Sequence, residues 1–266
     1  MRVFTKVMKY LALALAISII AGIVSSIYYL GDGIANMFKH EEVSDNVSDN
    51  VYALEFEDGI NELNVNVNFS KLVIKSGEKF RVESNNKSVV VNNSNGILKV
   101  VDGKRLKNNN ITIYIPNNFI FDKVKIDTGV SSVNIDKLSG YDVDLNLGVG
   151  NLVIESLTAI DKCDIDTGAG RAVINDADIN NLDLDIGAGQ FIYNGIMRNK
   201  ATVDAGVGEV NINLKNKDSY VIYVEKGIGN ITIDGVSVGD GSTYGNGNNR
   251  VDISGGIGSI KVIFDR

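Results

Sequence analysis

The chain has 266 residues, 44% of them hydrophobic, with 26 basic and 33 acidic side chains, one cysteine, one histidine and no tryptophan. The lone cysteine excludes an intrachain disulfide, and a single histidine, His40, excludes a Ser-His-Asp or Cys-His site in the domain that follows it. Residues 1–30 hold three basic side chains and no acid, so 23 basic stand against 33 acidic over the remainder, a net −10 that disfavours nucleic acid and anionic lipid as its ligands.

Residues 1–10 carry Arg2, Lys6 and Lys9. Residues 11–30, Leu11 to Leu30, are free of charge and long enough to cross a bilayer as one helix. The basic residues before the span predict a cytoplasmic N-terminus and an extracytoplasmic domain at the cell membrane. The alternative is a cleaved signal peptide ending near Val24-Ser25-Ser26. Residues 31–55 lack hydrophobic periodicity, repeat Ser-Asp-Asn-Val at 44–47 and 48–51, and read as a flexible tether.

Residues 56–266 read as one β domain. Leu63, Val65 and Val67 alternate with asparagines, and Leu72 and Ile74 follow after Asn68. This stretch is a degenerate first coil. The 61 residues from Asn68 to Gly129 leave room for about three coils of that size, with short strands at 80–83, 89–91, 97–101 and 111–115. Lys104 to Asn110 is a polar turn, and Pro116 closes a strand where a missing N–H is tolerated.

Regular repeats run over 124–264. The copies VDLNLGVGNLVI (143–154), CDIDTGAGRAVI (163–174) and LDLDIGAGQFIY (182–193) place a first glycine at Gly129, Gly148, Gly168, Gly187, Gly206, Gly227 and Gly256. A period near twenty residues signals stacked units. In the copy at Gly168, Cys163, Ile165 and Thr167 face inward before the glycine, and Ala172 and Ile174 after it. The change of phase requires a bend at Gly168–Ala169–Gly170, with the middle residues (Val130, Val149, Ala169, Ala188, Val207, Ile228 and Ile257) expected to plug the corner from inside. Two apolar columns, Ile126 to Ile253 and Ile135 to Val262, predict equivalent strands side by side in parallel. The expectation is all-β: a single-domain parallel β-solenoid of 19–20-residue coils, preceded by one transmembrane helix. Lys226 breaks the inward pattern and predicts a local irregularity. Residues 235–249, rich in glycine, read as a surface loop that lengthens the last spacing.

The Gly-x-Gly pattern lacks the third glycine and the helix of a dinucleotide site. Cys163 lies in an inward column as a buried small hydrophobe. No zinc spacing occurs, and no catalytic residue or cofactor is expected. Outward on the first strand, Asp164, Asp166, Asp183 and Asp185 form crowded columns that suit a weak calcium site, since hard cations take oxygen ligands. Outward on the second strand, Val153, Val173 and Ile192 form an apolar stripe, flanked by Asn134 and Asn211, that predicts an interface covered by a partner, by a second copy or by the segment 76–123.

An apolar anchor, degenerate strands, the strand ending Ile113-Tyr114-Ile115-Pro116 and repeats such as KVKIDTGVSSVNI (123–135) resemble the bacterial putative-adhesin family of β-strand-repeat proteins. The likeness covers roughly residues 60–264. It implies a membrane-anchored cell-surface binding or scaffold protein without catalytic residues. It also implies, as an alternative, an accessory or sensory partner in envelope-stress signalling. A β-helix carbohydrate-processing enzyme is a third reading, but Arg171, Arg198 and Arg250 are scattered. Ser131, Ser132, Asn151 and Asn230 depart from the family's step after the glycine, which puts any shared ligand in doubt. Expected partners are the membrane, a protein or cell-wall component, or a second copy, and no nucleic acid.

Overall fold

The computed structural model describes residues 52–57, 59–102 and 109–265, all within the compact unit Ser48–Arg266. The expected anchor, the tether up to residue 51, His40 and most of the turn at 104–110 lie outside the described residues. Among the described residues no helix is long and apolar enough to cross a membrane. Tyr52–Phe56, which begins within the stretch expected as tether, is a strand, β1, and belongs to the sheet.

The chain is all-β. After β1 come β2 (Glu62–Val67), β3 (Lys71–Gly77), β4 (Phe80–Ser84), β5 (Val90–Ser94), β6 (Ile97–Val101) and β7 (Asn110–Pro116). Then β8 runs extended from Phe121 to Leu214 over 94 residues. Drawn straight, it would reach roughly 310 Å at about 3.3 Å per residue. Instead it winds back on itself, and each glycine corner lies against the one before it, Gly148 on Gly129, Gly168 on Gly148, Gly187 on Gly168 and Gly206 on Gly187. The apolar columns expected at the centres of both strands are interior, from Ile126 at 2% exposure to Ile165, Leu184, Ile154, Ile174, Tyr193 and Ile212 at 0%.

The corners need glycine for contact and for conformation. A Cβ on Gly168 would stand 2.1 Å from the carbonyl oxygen of Gly148. One on Gly170 would stand 1.9 Å from that of Gly150, and Gly170 also holds φ +134, which L side chains rarely adopt. The middle residue does not plug the corner, since Val130 is 42% and Ile228 73% exposed. The interior is filled one position before the first glycine, by buried Ile186 and by Leu147 and Ala205 packed on the core. The inward alternation persists up to that residue, and the change of phase comes after it.

The order of layers departs from sequence order at both ends. After a 3-10 turn, Lys217–Ser219, the chain forms β9 (Tyr220–Glu225) and β10 (Ile228–Ile233), then β11 (Val236–Val238), β12 (Thr243–Gly245), β13 (Asn249–Ser254) and β14 (Ile257–Phe264). The last pair is inserted. Ile253 lies between Val203 and Val224, and Val262 between Ile212 and Ile233, all in parallel register. The Gly256 layer therefore sits between those of Gly206 and Gly227. At the other end β2 and β3 lie between β8 and the pair β6, β7, with Val65 flanked by Ile126 and Val100. Only one layer, not three, stands beyond Asn68. The remaining strands there, β4 and β5, are antiparallel partners of β7 and β6.

Both ends are closed by hairpins. Asn95-Gly96 (φ 53 and 81) joins β5 to β6, and Asp234-Gly235 (φ 53 and 80) joins β10 to β11. Positive φ at both central residues marks a type I′ turn, which suits the twist of a two-residue hairpin. The glycine-rich 235–249 segment is thus a cap containing β11 and β12, antiparallel to β10 and β9, rather than a free loop. Phe80, Phe119 and Phe121 plug one end, with successive ring centroids 4.8 Å apart at Phe119. Tyr244 stacks on Phe264 at 5.8 Å at the other. As expected, the strand breaks at Lys226, between β9 and β10.

An aspartate serves each end corner. Within the stack, a corner N–H donates to the adjoining layer's carbonyl, as Val130 does to Asn68 at 2.6 Å. Asn68 and Phe69 instead donate to the Asp102 carboxylate at 2.8 and 3.1 Å, and Ser70 Oγ donates to it at 2.9 Å. The Lys226 N–H donates to Asp240 Oδ1 at 2.9 Å. Asp102→Ala is expected to lower stability by about 2 kcal/mol, since charge-assisted bonds are lost together. Chemical denaturation against an Asp122→Ala control checks this, and equal midpoints for the two variants and the native chain would remove Asp102 from the cap.

Candidate functional site: an acidic groove over the glycine corners

Parallel register turns a repeated residue type into a row. Two positions before each corner glycine the outward side chains are, in layer order, Asn66, Asp127, Asn146, Asp166, Asp185, Asp204, Ser254 and Glu225. The first seven line one side of an open groove of about 840 Å³. The glycines Gly129, Gly148, Gly168, Gly187 and Gly206 pave its floor, with Thr128, Leu147, Thr167, Ile186 and Ala205 between row and floor. Each strand adds about 4.8 Å, so seven layers give a trough on the order of 30 Å long. The glycines make the floor smooth backbone, because no side chain rises from it.

Charge along the row is uneven. At one end Lys125 pairs with Asp144 at 2.9 Å and Asp127 at 3.3 Å, and the Asn146 amide donates to Asp144 at 2.7 Å and to Asp127 at 3.0 Å. Asp164 pairs with Lys162 at 2.7 Å. Among the described residues no ion pair reaches Asp166, Asp185 or Asp204, which stand in consecutive layers. The Asp185 carboxyl is held above its usual range, first by partial shielding from water and then by the negative charges of Asp166, Asp204 and Asp183.

The structure places Asp164, Asp166, Asp183 and Asp185 on one face, in two rows and two adjacent layers. Among the described residues no group of three or more acidic, histidine or cysteine side chains is arranged to hold a metal ion. Side chains on a flat strand face stand parallel rather than converging on a point, and Asp164 is held by Lys162. Asp204, in the same outward column as Asp166 and Asp185, belongs to the groove, and so does Asn146, which a search for acids alone passes over. The signal for Asn146 is the same offset from the glycine as that of Asp166 and Asp185.

The apolar stripe is placed as a row on the other strand, with Asn134 continuing it to Val73 and Asn211 to Lys261. It is less open than expected. Val173 is 7% exposed although it lies outside the core cluster, while Val153 and Ile192 are half-buried. Polar ladders flank it, with Arg171 donating to Gln190 at 2.9 Å, Gln190 to Glu209 at 3.2 Å and Asn175 to Glu155 at 2.8 Å. Within the segment 76–123, β7 pairs with β3 on the side away from β8. Cys163 is buried, and burial pushes its thiol far above the usual range. That holds it as an unreactive thiol.

No family model and no curated protein matches the chain. Among solved structures it is similar to a putative cell adhesion protein from Clostridium sporogenes, at 17% identity and a TM-score of 0.36 over 81% of this chain and 99% of that one. It is also similar to a putative adhesin from Bacteroides fragilis, at 13% identity and 0.36 over 82% and 98%. A putative adhesin from Parabacteroides merdae aligns at 12% and 0.33 over 81% and 95%. At these scores the likeness assigns no role to this chain.

Asp185→Asn is expected to raise stability at neutral pH by at most about 1 kcal/mol, because exposure to water screens the repulsion. A carboxyl with a raised folded value makes the native state bind more protons than the unfolded chain, so its repulsion is relieved as pH falls. The advantage of the variant should therefore shrink through the window between that raised value and 3.8. Denaturation of both proteins across that range checks the sign, and a constant difference would deny the coupling.

Proposed function

We propose that this chain is a membrane-anchored, non-catalytic cell-surface binding or scaffold protein whose β domain is a solenoid. Leu11–Leu30 would hold it at the membrane with its N-terminus cytoplasmic, and the acidic groove would be its binding face. The groove carries the reading. Its glycine floor admits a ligand backbone closely, its length suits an extended chain, and three successive unpaired carboxylates favour a cationic one. Hydrolytic chemistry needs a positioned acid or base in a cleft, whereas these carboxylates stand in an open row.

The test uses the full chain in proteoliposomes with the β domain facing outward, and a fluorescent oligolysine peptide as probe. Binding is expected at low salt, falling steeply as ionic strength rises. It should fall roughly tenfold in Asp166→Asn/Asp185→Asn/Asp204→Asn, a change of about 1.4 kcal/mol. Equal binding by this variant and the native chain, or none by either, would remove the groove as a cation-binding face. Protease added to intact cells should release the β domain, and protection until lysis would reverse the topology.

A further inference from the structure

The sheet has four terminal strands, and they are not alike. β11 and β12 are three residues each, and β5 presents mainly asparagine and serine beyond Val90. Short or polar edges resist pairing with another chain. By contrast β1 is five residues long, and among the described residues it pairs only with β4.

The core layer runs out onto this strand. Leu54 stands opposite Val82 and Phe56 opposite Phe80, and those two partners are core residues 2% and 5% exposed. Opposed residues on antiparallel strands point to the same side of the sheet, so Tyr52, Leu54 and Phe56 continue the inner face. Phe56 still packs against the core. Beyond it the layer is open, with Leu54 47% and Tyr52 40% exposed and Lys87 Nζ 5.1 Å from the centre of the Tyr52 ring.

We infer that β1 is an interface with a second copy of this chain, the two strands pairing antiparallel about a twofold axis at Leu54. A twofold perpendicular to the sheet keeps the inner faces on the same side, so the apolar layer continues from one copy to the other. In this register Leu54 opposes Leu54 of the second copy, Tyr52 opposes Phe56, and Ala53 opposes Glu55. No like charges face each other. An axis at Glu55 would set two carboxylates opposite, and one at Ala53 would drop Phe56 from the ladder. An axis between residues would turn the apolar side chains of one copy to the wrong face. A membrane anchor before β1 would align two copies, but the pairing itself needs only residues 52–56.

The test is site-directed crosslinking of the full chain in detergent, with the native protein, whose one cysteine is buried, as the blank. Opposed Leu54 Cα atoms would lie about 4.5–5.5 Å apart, within reach of a disulfide. The two Ala53 Cα atoms would be about 8 Å apart, out of reach. Under mild oxidation Leu54→Cys should give a covalent dimer at least roughly tenfold more efficiently than Ala53→Cys. Leu54→Lys should shift the native dimer to monomer in sedimentation, while Val90→Lys on β5 should not. A native monomer at tens of micromolar, or equal crosslinking at residues 53 and 54, would overturn the pairing. Because the cysteine pair reads position directly, a folding defect in Leu54→Lys would not rescue or sink it.

Discussion

The close contact between successive corners governs this structure. At each layer a carbonyl oxygen occupies the place where the next layer's Cβ would be, about 2 Å from it along the column of first glycines from Gly168 to Gly206. Strand pairing sets a spacing of about 4.8 Å, and a sharp bend can hold that spacing only if no side chain intervenes. The corner therefore fixes the register of both strands in every layer. That register in turn stacks Ile165 on Leu145 and Ile174 on Ile154 and makes the interior continuous.

A stack built this way has two raw ends, and the chain spends its least repetitive sequence on them. Two devices recur. Type I′ hairpins at Asn95-Gly96 and Asp234-Gly235 lay antiparallel strands over the last layers. Asp102, which follows β6 in the adjoining layer, and Asp240, in the cap, accept corner N–H groups through their carboxylates. Each end also reverses layer order, with one pair of strands slotted between two others. The slotted layer makes parallel ladders on both sides, so each end is tied by contacts far apart in sequence. A parallel edge is thereby replaced by a shorter antiparallel one, which is easier to blunt.

The same register creates the surface. Asp166, Asp185 and Asp204 are 19 residues apart in sequence but stand in consecutive layers, whereas Lys125 and Asn146 serve Asp127 and Asp144 at the end of the row. The row and the glycine floor run together from Asp127 and Gly129 to Asp204 and Gly206, because the residue two before each of these glycines stands at the rim of the trough.

The sequence alone determined the repeat, its glycine corners, the two inward columns and the carboxylate rows, because each follows from a fixed period and strict alternation. It also held the turn signals Asn95-Gly96 and Asp234-Gly235. Tertiary structure decided the order of layers at both ends, the cap formed by 235–249 and the burial of Val173. Alternation says which side of a strand a residue faces, but the neighbouring strand and the angle of approach are set by contacts between segments far apart in the chain. Gly227 follows Gly206 in sequence, yet Gly256 lies between them, because the strands of the Gly256 layer pair on both sides only in that slot.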